Sequence, residues 1–148
     1  MNYQLAQLNL AKCRLPILHP ANKDFVNNLD QVNAVADAHP GFVWRLKGEG
    51  NSATELIAFD DPSIITNLSV WEDLDSLSDF VYRSEAHKAI MQRRREWFDK
   101  MELYLVLWWV PAGHEPDVAE AQARLELLAV RGPTPDAFTF QQSFPAPE

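Results

Sequence analysis

The stretch NLSVWED, residues 67–73, shows the two-residue alternation of a β-strand. Because successive side chains of a strand point to opposite faces of a sheet, Asn67, Ser69 and Trp71 share one face and apolar residues share the other. An amide, a hydroxyl and an indole can all form hydrogen bonds, and such groups need partners when they are buried. The stretch therefore predicts a sheet face that borders a ligand space and not bulk water.

Outward from this strand, strands and helices follow one another in a definite order. Alternating apolar residues predict strands at 5–10, 42–47, 64–72 and 103–110. Apolar stripes with helical spacing predict helices at 22–38, 75–83, 84–101 and 116–131. A loop rich in Gly, Asn, Ser and Asp is predicted at 48–63.

The core order of these elements is β-α-β-β-α-β, followed by an extra C-terminal helix. This order predicts an α+β fold of the ferredoxin-like type, with an antiparallel sheet and helices on one of its faces. Residues 1–140 are expected to form a single domain and residues 141–148 a flexible tail. The second and fourth strands are apolar on both faces, so a second copy of the chain is predicted to cover the free face and form a homodimer.

Composition limits the partners of the chain. Its 148 residues include 13 Lys and Arg against 21 Asp and Glu, a formal net charge of −8. A surface of that sign repels phosphate backbones, so no nucleic acid partner is expected. No apolar run approaches the ~18 residues that a membrane span needs, and the N-terminus lacks the pattern of a signal peptide. With Cys13 as its single cysteine, the protein is expected in a reducing, cytoplasmic setting.

The predicted helix at 84–101 carries two candidate site residues. Its apolar stripe runs through Ile90 and Trp97, and helical spacing puts His87 and Arg94 on the same face. A buried guanidinium needs a carboxylate of the protein or an anion from outside. His87 is either a partly buried structural histidine or a proton acceptor or ligand of metal or haem. The sequence leaves these alternatives open.

Five tryptophans are more than a core of this size requires. Large aromatic side chains mostly fill cores and subunit contacts, although they also line ligand cavities. Trp71 shares its strand face with Asn67, and the amide and the indole N–H could either donate to one ligand oxygen or pair with groups inside the protein. Trp44, Trp97 and Trp108 are further candidates for the wall of the same site.

Several familiar kinds of site are excluded by the sequence. It contains no glycine-rich phosphate loop, no G-x-S-x-G elbow, no H-E-x-x-H and no Cys and His set at zinc spacing. The four histidines fall in four different segments, and Cys13 is interpreted as structural. No metal site is therefore expected.

Sequence blocks along nearly the whole chain, about residues 5–140, resemble those of a known group of proteins. The blocks are LAQLNLA, PGFVWRL, NLSVWED, FVYRSEAHK, RRREWF and LVLWWVPAGHEP. Through them the chain resembles the dimeric α/β-barrel superfamily, which contains the antibiotic-biosynthesis monooxygenases, and within it an uncharacterised bacterial family. The resemblance implies a dimeric α/β-barrel fold.

Two kinds of relative imply different roles for the candidate residues. Similarity to cofactor-free quinone-forming monooxygenases implies a site of Asn67, Trp71 and Arg94 around a polyphenol, with no bound cofactor. Similarity to haem-degrading members implies that Asn9 and His87 take the roles of the strand asparagine and the iron-binding histidine. The haem-degrading members also have a tryptophan in a helix, and the matching position of this chain holds Phe80.

Three functions follow as expectations. The first is a cofactor-independent monooxygenase-like enzyme that acts on a small aromatic or enolisable molecule. The second is a dimeric small-molecule binding or sensing module without turnover, and the third is a haem-binding or haem-degrading protein. An apolar cavity with a few converging polar groups suits both of the first two, so the sequence does not separate them.

Overall fold

The computed structural model describes residues 2–15, 19–46, 64–99 and 105–147. The predicted loop at 48–63, the start of the fourth predicted strand and the end of the helix predicted at 84–101 lie outside these ranges. Within them the elements are β1 Tyr3–Cys13, a 3₁₀ turn Pro20–Asn22, α1 Lys23–Ala38, β2 Phe42–Arg45, β3 Ile64–Trp71, α2 Leu74–Arg83, α3 Glu85–Gln92, α4 Arg94–Trp97, β4 Phe98–Asp99, β5 Leu105–Pro111 and α5 Val118–Arg131.

β1 is the central strand of the sheet. It runs antiparallel to β3, with Leu5 opposite Trp71 and Asn9 opposite Asn67, and antiparallel to β5 on its other side. The short β4 pairs with the end of β1, and β2 pairs with β3 at the edge of the sheet. The predicted ferredoxin-like α+β order with an extra C-terminal helix is confirmed.

Polar caps determine where two of the helices begin. The Asp73 carboxylate accepts a hydrogen bond of 2.8 Å from the Ser76 amide at the start of α2. Asp117 accepts one of the same length from the Glu120 amide at the start of α5. Each such cap stabilises its helix by about 1 kcal/mol. α5 ends at Gly132, whose φ of 70° lies in the left-handed region that favours glycine.

The two faces of the sheet have separate cores. On one face, α1 and α2 cover Leu5 and Trp71. On the other, α5 packs through Leu128 onto Leu8 and Trp108, which are fully buried. The expectation that a second copy must cover this face is therefore wrong, because the apolar stripe of α5 already buries it within the chain.

β2 departs from regular alternation. Phe42 lies opposite Trp71 and Arg45 lies opposite Ser69, with a shift in register between Phe42 and Trp44. A β-bulge adds one residue to a strand and so moves the residues after it to the other face. Phe42 and Arg45 consequently share the face that is covered by α1 and α2, while Trp44 faces the α5 core.

The last long helix predicted before β5 is broken at Arg93. The backbone of Arg93 has φ −101° and ψ 6°, and its side chain donates to Glu96 at 2.7 Å and to Asp24 on α1 at 3.0 Å. The helix restarts with a changed direction, so Arg94 is exposed and donates to the Met91 carbonyl at 2.7 Å. The prediction that Arg94 points inward is wrong, because helical spacing does not hold across the break.

The segment after α5 returns to the sheet. Phe138 forms a pair of backbone hydrogen bonds with Leu107 of β5, at 2.8 and 2.9 Å. The Trp109 indole donates to the Phe144 carbonyl at 2.9 Å, and the Phe144 ring packs against Phe138. Part of the predicted tail at 141–148 is thus attached to the core that α1 and α2 also cover.

Candidate functional site

A cavity lies between the sheet and the helices α1, α2 and α3. Its volume is about 60 Å³, room for roughly four waters at ~15 Å³ each. The side chain of Asn67 is exposed, so the cavity meets solvent on that side. The lining residues come from three strands and three helices and are Gln7, Asn9, Val32, Asn33, Ala36, Phe42, Arg45, Asn67, Ser69, Trp71, Leu77, Phe80, Val81 and His87.

A hydrogen-bonded network of side chains forms the floor of the cavity. Gln7 Nε2 donates to Ser69 Oγ at 2.7 Å and to Asn67 Oδ1 at 3.1 Å, and Trp71 Nε1 donates to Ser69 Oγ at 2.9 Å. The register of β1 and β3 makes this possible because Gln7 lies directly opposite Ser69. The network uses oxygen acceptors of Ser69 and Asn67, which leaves the Ser69 hydroxyl proton and the Asn67 amide protons available to a ligand.

His87 lies on α3 at the wall of the cavity. The Ser84 hydroxyl accepts a hydrogen bond from the His87 amide at 3.3 Å, the contact typical of an N-cap residue. The ring contacts Phe80 edge to face at 5.3 Å, and its buried Nδ1 has no hydrogen-bond partner among the described residues. Burial lowers the pKa of His87, and a weaker hydrogen bond with the Val81 backbone opposes that effect. At neutral pH the imidazole is therefore uncharged and able to accept a proton.

Arg45 is the cation of the cavity, and sequence reasoning did not find it. It is 8% exposed, and its guanidinium donates to both carboxylate oxygens of Asp37, at 2.8 and 3.3 Å. Regular alternation places Arg45 away from Phe42, and nothing in the sequence marks the bulge that brings the two residues together. The helical position of Asp37, near the end of α1, gives no separate signal for this pairing.

A histidine outside the cavity supports Trp71. His39 Nδ1 accepts a hydrogen bond from the Gly41 amide at 3.0 Å, so the proton lies on Nε2, which is 2.8 Å from Asp79 Oδ2. The His39 ring meets Trp71 edge to face at 5.4 Å. This contact and the Asp79 pair join α2 to the turn before β2, which restricts the orientation of the Trp71 indole.

The structure brings together five of the nine residues predicted for the site. Those that line the cavity are Asn9, Asn67, Trp71, Phe80 and His87. The other four lie elsewhere and are Trp44, Arg94, Trp97 and Trp108.

The three tryptophans outside the cavity have structural contacts. Trp97 is buried against Phe25 and lies 4.8 Å from the Arg93 guanidinium. Trp108 faces α5, where its indole donates to Glu120 at 2.9 Å. Trp44 packs on the α5 core. The prediction that these tryptophans line the ligand cavity is wrong. Strand register places Trp108, and the bulge places Trp44, on the sheet face that α5 covers. Trp97 follows the helix break and is not among the residues that line the cavity.

The geometry of the described residues suits neither a metal ion nor a haem. Within the described ranges, no group of three His, Cys, Asp or Glu side chains could hold a metal ion. Asn9, Phe80 and His87 line one cavity, as the haem alternative requires. A volume of about 60 Å³, however, is far below the roughly 300–1,000 Å³ of ordinary ligand pockets. These residues therefore do not fit a haem.

A protein-family model matches residues 4–148, almost the entire chain. The chain belongs to the family described as Domain of unknown function (DUF3291). No curated protein matches it. This DUF3291 chain contains no helix long and apolar enough to cross a membrane in the part that the structure describes.

The DUF3291 chain is similar in fold to several solved structures. A conserved protein from Methanosarcina mazei Go1 has 17% identity and a TM-score of 0.52, over 72% of this chain and 90% of that one. A protein from Caulobacter crescentus CB15, described as a “putative antibiotic biosynthesis monooxygenase”, has 12% identity and a TM-score of 0.50, over 76% and 92%. Identities this low support the fold alone, a ferredoxin-like α+β arrangement.

Proposed function

We propose that the chain binds a small phenolic or enolisable molecule at this cavity and oxidises it with dioxygen, without a bound cofactor. The observation that carries the proposal is the place of His87, whose Nδ1 lacks a partner among the described residues, in the lining of a cavity with a floor of amides and a hydroxyl. A base next to fixed hydrogen-bond donors favours loss of a proton from a ligand hydroxyl. A solved structure of similar fold is described as a “putative antibiotic biosynthesis monooxygenase”, and that description agrees with this chemistry.

The proton and the charge have defined places in the proposed reaction. The phenolic O–H bond breaks and its proton moves to His87 Nδ1. The Ser69 hydroxyl and the Asn67 amide then donate to the oxyanion, which stabilises the charge because a partly buried site strengthens such hydrogen bonds. Phe80 and Trp71 line the cavity with aromatic surface beside these donors.

The oxidation needs no outside reductant. The substrate anion transfers electrons to dioxygen, a bond forms between a ring carbon and one oxygen atom, and the O–O bond breaks. The ring carbon loses its hydrogen and becomes a carbonyl, and the second oxygen atom leaves as water. One phenol and one dioxygen thus give one quinone and one water, with all four electrons supplied by the substrate.

Oxygen uptake with a panel of phenols, dihydroxybenzenes and cyclic β-diketones tests the proposal. We expect one dioxygen consumed for each quinone formed, with one labelled oxygen atom in the product from ¹⁸O₂. His87→Gln removes the proton acceptor and should lower kcat by roughly 10²- to 10⁴-fold, since general bases contribute that much. His19→Gln, an exposed histidine outside the cavity, is the matched control and should retain full activity.

The outcome also separates an enzyme from a binding module. If panel members bind and no oxygen is consumed, the chain is a small-molecule binding or sensing module and the oxidation is refuted. Equal turnover by wild type and His87→Gln would remove His87 from the mechanism.

Titration with haemin tests the remaining alternative. We expect no Soret band that depends on His87, because the cavity is too small for the ring. A Soret band present in wild type and absent in His87→Gln would favour a haem protein over the proposed oxygenase.

We also propose that the chain forms a homodimer. The support is the similarity of its fold to solved structures of a dimeric fold family. Since α5 covers one sheet face, the interface must lie on another surface. Light scattering at micromolar concentration should give twice the chain mass of 16.9 kDa, and a monomer mass would refute the dimer.

A further inference from the structure

Asn33 is a polar residue on the helix side of the cavity. Its side chain lies on α1, is 8% exposed and forms no hydrogen bond with another described residue. The amide atoms of Asn33 are not among the fully enclosed unpartnered atoms of the described residues, so they face the accessible space of the cavity. Because Asn33 lines the cavity, both its donor and its acceptor are open to whatever enters.

The floor opposite offers a complementary set of groups. Gln7 is 6% exposed and uses its Nε2 on Ser69 and Asn67, which leaves Gln7 Oε1 as an acceptor. Ser69 Oγ accepts two hydrogen bonds, so its own proton remains as a donor. The cavity therefore offers both donors and acceptors, which matches a ligand edge with both kinds of group.

The charges at the cavity oppose an anionic ligand. The Arg45 guanidinium is matched by the Asp37 carboxylate in a two-point contact, and the amides, the hydroxyl and the neutral His87 carry no charge. An anion that arrives from solvent would lose water without gaining an excess cation, which is unfavourable, whereas an anion formed at the cavity by proton transfer to His87 is balanced by the imidazolium. A neutral ligand avoids that cost.

The size and walls of the cavity limit the shape of the ligand. About 60 Å³ accepts a few heavy atoms and not a whole ring. The flat side chains of Phe42 and Phe80 and the aliphatic Val32 bound this space. Aromatic and aliphatic walls suit a planar apolar body, so that its polar edge displaces the waters and its body stays towards solvent.

We infer that the cavity takes the edge of an uncharged planar ring with a hydrogen-bond donor next to an acceptor, and that Asn33 and Gln7 recognise that edge. The inference rests on the proposed function only in placing the ligand at this cavity. A hydroxyl beside a ring carbonyl and a lactam N–H beside its C=O both belong to this chemical class.

Three small rings test the inference in the intact protein. 2-Pyridone presents a neutral donor and acceptor side by side, phenol presents a single hydroxyl, and benzoate is an anion of similar size. Titration followed by NMR of the Asn and Gln side-chain amides should show binding in the order 2-pyridone, phenol, benzoate. The first and last should differ by roughly tenfold or more, and the Asn33 amide signals should shift with 2-pyridone.

Variants on α1 assign the recognition to Asn33. Asn33→Leu should weaken 2-pyridone binding by about tenfold and phenol binding by less, because one hydrogen bond is commonly worth up to that factor. Asn33→Asp keeps the shape of the side chain and should also weaken 2-pyridone binding. This second variant allows the test to be made even if Asn33→Leu does not fold. Gln31→Leu, at an exposed position of the same helix, should change neither affinity.

Three results would overturn the inference. In the first, benzoate binds at least as tightly as 2-pyridone, and in the second, both Asn33 variants bind 2-pyridone as wild type does. In the third, no probe binds, which would mean that the cavity holds water alone. These results do not depend on oxygen uptake. Amide-dependent binding without oxidation would support the inference and refute the proposed oxidation, so the two failures are distinguishable.

Discussion

Ser69→Ala tests the hydrogen-bonded floor of the cavity. The change removes the acceptor of two hydrogen bonds, from Trp71 at 2.9 Å and from Gln7 at 2.7 Å. Gln7 retains Asn67 as a partner at 3.1 Å, but the Trp71 indole, 2% exposed, is left with an unpaired N–H. A stranded buried donor costs about 1–3 kcal/mol, so we expect a loss of ~2 kcal/mol in the free energy of unfolding.

Urea denaturation followed by circular dichroism measures this loss, and in a chain of this length it corresponds to roughly 4–8 °C in Tm. In a Trp71→Phe background no indole N–H remains to be stranded, so Ser69→Ala should cost about 1 kcal/mol less. Ser143→Ala, at an exposed position, is the matched control and should stay within about 0.5 kcal/mol of wild type. If the costs of Ser69→Ala and Trp71→Phe add within about 0.3 kcal/mol, the two side chains are not coupled and the network is refuted.

Three further predictions concern charged and titratable groups. Burial lowers the folded-state pKa of His87 below its unfolded value of about 6.5. The stabilising contribution of the neutral ring is therefore complete above pH 6.5 and is lost as the pH falls towards the folded-state pKa. The fall in Tm between pH 7 and 5 should be smaller in His87→Gln than in wild type, and equal falls would contradict this prediction. Arg45→Met should lower Tm by several degrees because it leaves the Asp37 carboxylate without its cation. Arg94→Met, at an exposed site, should change Tm by less than about 2 °C. A larger loss in Arg94→Met than in Arg45→Met would refute the assignment of Arg45 to the cavity. Glu120→Leu removes the acceptor of the Trp108 indole and should expose the sheet face under α5. We expect this variant to bind more of a hydrophobic dye than wild type. Unchanged dye binding would contradict the prediction.

Local patterns in the sequence were sufficient for most of the fold and part of the site. Period-two alternation identified the strand with Asn67 and Trp71, and the register with β1 brought Asn9 to the same face. The helix signal was equally direct at Ser84, whose hydroxyl caps α3 and so fixes the position of His87. These residues depend on neighbours within a few positions along the chain, and short-range rules describe such neighbours well.

Other features depended on contacts between distant segments. The bulge in β2 puts Arg45 rather than Trp44 in the cavity, and the pairing of Arg93 with Asp24 across 69 residues accompanies the helix break that turns Arg94 outward. α5 was recognised as a helix, but its place on the supposedly free sheet face could not be read from its own residues. The sequence by itself determined which side chains alternate and where helices begin, because hydrogen bonding and side-chain period are local. The tertiary structure decided which residues share the cavity, because one extra residue in a strand or one turn lost from a helix reverses a face without changing the local composition.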